Sequence, residues 1–151
     1  MKKLLFLAPL LIACTKSKAD SYEKVANLAN PALSKLRPTA LRIAALGATP
    51  EARPELIRLC SNMDPQLRVL IDNVPAFSEL DTEPGGPDFS VLAVPNTARL
   101  IVDGRAGVCN GGGDGQRCAD FCLSRWNELA EAVEGINRRA AGAKVKLVEL
   151  R

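Results

Sequence analysis

The chain has 151 residues, with 20 basic and 17 acidic side chains, no histidine and 47% apolar residues. That apolar content excludes a disordered chain, the length allows one domain with a core, and the near balance of charge argues against nucleic-acid binding. The missing histidine removes the commonest general base and metal ligand, so most hydrolase templates fail and a non-enzymatic role is expected.

Met1-Lys2-Lys3, the apolar stretch Leu4 to Ile12 and the small Ala13 have the three-part layout of a secretory signal. A membrane-crossing helix needs about 20 apolar residues, and Thr15-Lys16-Ser17-Lys18 ends this run well short of that. Leu11-Ile12-Ala13-Cys14 resembles the lipobox of bacterial lipoproteins. The resemblance covers residues 1–14 only. It implies cleavage between Ala13 and Cys14 and a diacylglycerol on the Cys14 thiol, the one covalent group expected, with no other cofactor. The chain then divides into a signal peptide (1–13), a lipidated cysteine and short tether (14–19) and a single envelope domain (20–151). Thr15, in place of the aspartate that retains many lipoproteins in the inner membrane, favours the outer membrane, facing the periplasm. Each buried methylene of the lipid contributes about 0.8 kcal/mol, so two or three acyl chains make a lasting anchor. A tether of about six residues reaches on the order of 13 Å, which keeps the domain near the lipid surface.

Asp20-Ser21-Tyr22-Glu23 supplies a helix cap with a carboxylate three positions on, and Val25, Leu28 and Ala29 come next at helical spacing. Pro31 and Pro38 are expected to interrupt or kink the helix beyond Asn30, with a stop at Gly47. Pro54 opens a second helix with Leu56, Leu59, Cys60 and Met63 on one face, and Asp64-Pro65 opens a third with Leu67, Leu70, Ile71 and Val74. Pro75 to Asn96 reads as a solvated connection whose acidic residues Glu79, Asp81, Glu83 and Asp88 have no basic neighbour in sequence.

Phe89 to Val94 and Ala98 to Val102 are short, apolar and rich in β-branched residues, so both read as strands. Asp103-Gly104 before Arg105 to Cys109 reads as a hairpin turn, and Lys144 to Leu150 as a last strand. Asp114 to about Ala141 forms the longest helix, with Cys118, Cys122, Trp126, Leu129, Val133, Ile136 and Ala140 in one apolar stripe. The expected fold is α+β: several short N-terminal helices, a small β-sheet and one long C-terminal helix, stapled by disulfides.

Apart from Cys14 there are four cysteines, which in an oxidising compartment read as two disulfides. Four cysteines allow three pairings. Cys118 and Cys122 rise in parallel from one helix and make a poor pair, which favours Cys109 with Cys118 and Cys60 with Cys122.

Three local motifs carry less. Ser21-Tyr22-Glu23-Lys24 matches the Ser-x-x-Lys of penicillin-binding enzymes but lacks its partner motifs. Asn110-Gly111-Gly112-Gly113-Asp114-Gly115 lacks the lysine of a nucleotide loop and the oxygen ligands of a calcium loop, and reads as a connector. Cys118-Ala119-Asp120-Phe121-Cys122 resembles the Cys-x-x-x-Cys of copper-chaperone relatives of thioredoxin, without their distant histidine. The expected function is therefore a membrane-anchored binding or assembly module for an envelope protein or the cell wall. The alternative is a thiol-disulfide or Cu(I)-handling protein using Cys118 and Cys122.

Overall fold

The computed structural model describes residues 18–80, 90–140 and 142–151. The expected lipidation and cleavage positions, Cys14 and Ala13, lie outside them, as do Asp81, Glu83, Asp88 and Phe89.

Helix α1 (Lys18–Leu46) runs unbroken for 29 residues through Pro31 and Pro38. This corrects the expected interruption, for a physical reason. Both prolines are exposed, and so are Asn27 and Ser34, four residues before each. The two carbonyls that lose their helical donor therefore belong to residues on the wet face, where water can supply the hydrogen bond. The opposite face of α1 buries Val25, Ala29, Leu33, Leu36, Ala40 and Ile43 at spacings of three and four.

Three short helices come next: α2 (Arg53–Ser61), α3 (Asp64–Asp72) and α4 (Val74–Ser78). Each carries proline in its first turn, where no helical donor is lost. Leu56 and Cys60 of α2, Leu67 and Leu70 of α3 and Phe77 of α4 are fully buried. The expected connection from Pro75 thus begins as helix, and Glu79 is not uncompensated, because Lys24 Nζ donates to both its carboxylate oxygens at 3.0 and 3.2 Å.

The expected β-sheet is absent: among the described residues there is no strand. Where two strands and a hairpin were expected, α5 (Ala93–Arg99), a π-helical segment (Leu100–Gly104) and α6 (Arg105–Cys109) form one continuous helical run. Its fully buried positions are Val94, Ala98 and Ile101, spaced four and three apart, with buried Val91 three before them and Pro95, Thr97 and Val102 beside them on the same face. That is a helical period hidden in a β-branched composition, and a short apolar run does not distinguish the two. Asp103 and Gly104, the expected turn, sit inside the π segment.

Helix α7 (Gln116–Arg139) completes the helical part; six residues of the expected apolar stripe, Cys118 to Ile136, are buried on it, and the seventh, Ala140, is buried just past its end. It packs against α1, α2, α5 and α6, while α3 packs against α1 and α5. The last segment, Lys144 to Leu150, pairs with no strand. Instead it is clasped by two asparagines. Asn137 of α7 donates Nδ2–H to Leu147 O and accepts Leu147 N–H at Oδ1, both at 2.9 Å. Asn30 of α1 donates to Lys146 O (2.9 Å) and accepts from Val148 N–H (2.8 Å). Side-chain amides replace the neighbouring strand, and Leu147 and Leu150 still fill the core.

Candidate functional site: a four-cysteine cluster

Helix α7 presents Cys118 and Cys122 on one face, one turn apart. Cys60 projects from the buried face of α2, and Cys109 is the last residue of α6. The structure joins Cys60 to Cys122, with Cα atoms 5.9 Å apart, and Cys109 to Cys118, with Cα atoms 4.7 Å apart. These are the two pairs expected from the sequence. The sulfurs of Cys109, Cys118 and Cys122 lie within 4.8 Å of one another, so the two disulfides are adjacent.

Their surroundings differ. Cys60 and Cys122 are fully buried, whereas Cys109 is only half-buried. Cys109 and Cys118 border a cavity of about 270 Å³ lined also by Gly107, Gly112, Gly113 and Arg117. The connector expected at 110–115 is what shapes this cavity. Gly112, Gly113 and Gly115 adopt positive φ of 69°, 105° and 77°, which side chains rarely tolerate, and they carry the chain from the end of α6 to the start of α7.

Cys118 is the third residue of α7, in the turn where the positive end of the helix dipole acts. Asp114, just before this helix, accepts the Gln116 N–H at 3.0 Å and a hydrogen from Arg53 Nη1 at 3.2 Å. The backbone N–H of Gln116 first, and Arg53 with it, hold the Asp114 carboxyl below the usual carboxylate range.

Arg105 fixes α6 in place. Its guanidinium donates two hydrogen bonds of 2.8 Å to the two carboxylate oxygens of Asp64, and Nη1 also donates to Cys60 O at 3.1 Å. One side chain therefore ties the element carrying Cys109 to the backbone of Cys60. The hydrogen bonds from Arg105 hold the Asp64 carboxyl below its ordinary range, against an opposing push from burial. The sequence marks Asp64 only as a helix start and Arg105 only as the start of an expected strand, so neither is legible there as part of the site. No spacing signal connects positions 41 residues apart.

No protein-family model, curated protein or solved structure matches this chain.

Proposed function

We propose that the protein exchanges disulfides with dithiol partner proteins through Cys109–Cys118, in the lipid-anchored envelope setting expected from residues 1–14. The observation that carries this reading is the contrast between two neighbouring disulfides, one with a partly exposed residue, Cys109, at a cavity and a helix start, the other fully buried. It supports exchange ahead of the binding-module expectation, because a purely structural pair needs neither the open sulfur nor the helix terminus.

The positions of the sulfurs set the chemistry. A partner thiolate attacks Cys109 Sγ, the more exposed sulfur, and forms a mixed disulfide. The Cys109–Cys118 bond breaks, and its electron pair leaves on Cys118 Sγ. A leaving thiol departs faster as its pKa falls, and a helix N-terminus lowers that pKa. Asp114, whose charge opposes this, is paired with Arg53. The partner's second thiol then attacks the mixed disulfide, Cys109 departs and takes a proton, and the partner leaves oxidised. No histidine is required, which suits a chain that has none.

The Cys60–Cys122 bond is fully buried and so shielded from direct attack by a partner. Limited dithiol treatment of the native chain, followed by mass mapping of alkylated cysteines, tests the reading. Cys109 and Cys118 are expected to label together while Cys60 and Cys122 remain bonded. Simultaneous labelling of all four at one equivalent of dithiol, or labelling only on unfolding, would reject it.

A further inference from the structure

We infer that the fully reduced chain binds one thiophilic d10 cation on the thiolates of Cys109, Cys118 and Cys122, with Cys60 beside them as a fourth sulfur. The proposal deepens the exchange reading and rests on it in one respect, since a dithiol partner supplies the reducing electrons. Opening both bonds takes four electrons and four protons, drawn from two equivalents of dithiol, which leave as two disulfides. The inner bond is reached from within. With both bonds formed the Cys109 sulfur already lies within 4.8 Å of Cys122 Sγ, so once the outer bond is open its thiolate can attack there and expel Cys60, which takes up a proton. The Cys109–Cys122 bond so formed is then resolved by the partner.

The movements needed to hold an ion are small. At a metal–sulfur distance of about 2.3 Å, sulfurs sharing one ion stand roughly 3.8–4.0 Å apart. Reduction frees the bonded sulfurs of Cys109 and Cys118 to part by about 2 Å, while Cys122, within 4.8 Å of both, need close by about 1 Å at most. Cys118 and Cys122 are fixed one turn apart on a 24-residue helix, a ready two-point clamp. Cys109 ends a five-residue helix with no buried residue, four positions beyond the Arg105 anchor, so the movement falls on this free end.

The donor set decides the class of ion. The cluster consists of cysteines alone, and soft thiolates select Cu(I) and its d10 relatives over hard ions such as magnesium or calcium. A bound cation displaces one proton from each ligating thiol. Metal and disulfides compete for the same sulfurs, so oxidation expels the ion.

The test uses the full chain carrying Cys14→Ser, reduced with a phosphine that is then removed, and titrated with Cd(II) in the ultraviolet. One equivalent should bind with thiolate charge-transfer absorbance, and Cys118→Ser or Cys122→Ser should weaken binding by about tenfold or more. The oxidised chain should not bind. If reduction unfolds the chain, Cd(II) should restore its helical circular dichroism, because binding and folding are then one equilibrium. No charge-transfer band, binding insensitive to both substitutions, equal binding by the oxidised chain, or no refolding would each overturn the proposal. A chain whose outer bond opens to dithiol yet binds no Cd(II) loses only this site. One that resists dithiol yet binds Cd(II) after phosphine loses only the exchange reading.

Discussion

Asp64 and Arg105 meet through two 2.8 Å hydrogen bonds, with 29% and 18% of their side chains exposed. A bidentate, partly buried pair outweighs the usual surface ion pair, and Asp64→Asn should cost about 1–3 kcal/mol at neutral pH. The sign of the shift sets the pH dependence. The Asp64 carboxyl is held below its ordinary range when folded, so its stabilisation is complete above the unfolded value, near pH 4. It is lost as pH falls below that value and through the folded pKa. Denaturant unfolding of both forms from pH 7 down to pH 2 checks this: the stability gap should narrow toward zero with acid, and a constant gap would reject the assignment.

At the scale of elements, the C-terminal segment shows how an extended sequence pattern can be satisfied without a sheet. Lys144 to Leu150 alternates like a strand only as far as Leu147, and the residues it buries, Leu147 and Leu150, are three apart, off the period of two of a flat strand. Its hydrogen-bonding partners are Asn30, 116 positions from Lys146, Asn137, 10 positions from Leu147, and Glu23, whose carboxylate accepts the Lys144 N–H at 2.7 Å. Asn137 is only 6% exposed, so truncating it strands both the N–H and the C=O of Leu147 in a dry setting. Asn137→Ala is expected to cost about 2–3 kcal/mol in denaturant unfolding and to speed hydrogen exchange at the Leu147 amide. Unchanged exchange there would show that the clasp does not hold the segment. The converse case is α5 with the π segment, where a strand-like composition is helical because valine and isoleucine fill a buried helix face as well as a strand.

For the whole molecule, the two disulfides differ in reach. Cys60–Cys122 spans 62 positions and joins α2 to α7, whereas Cys109–Cys118 spans 9. In the chain-entropy model their loss costs about 4 and about 2.6 kcal/mol respectively. Cys60→Ser should therefore lower the melting temperature more than Cys109→Ser, as scanning calorimetry would read. An equal or reversed order would mean that the outer bond, not the inner one, holds the helices together. The same asymmetry suits the exchange reading, since the bond offered to partners is the one the fold needs less.

The α7 stripe, the proline-led starts of α2 and α3 and the positions of the cysteines are legible in the chain because each is local: period, cap chemistry and residue type are written in consecutive residues. So is the likeness of residues 1–14 to a lipoprotein signal. Only the tertiary structure decided that β-branched runs would be helical, that two asparagines would replace a strand and that Arg105 would reach Asp64. It alone brought three sulfurs within 4.8 Å of one another. These depend on which surfaces meet, and contacts between residues tens of positions apart leave no period in the chain to read.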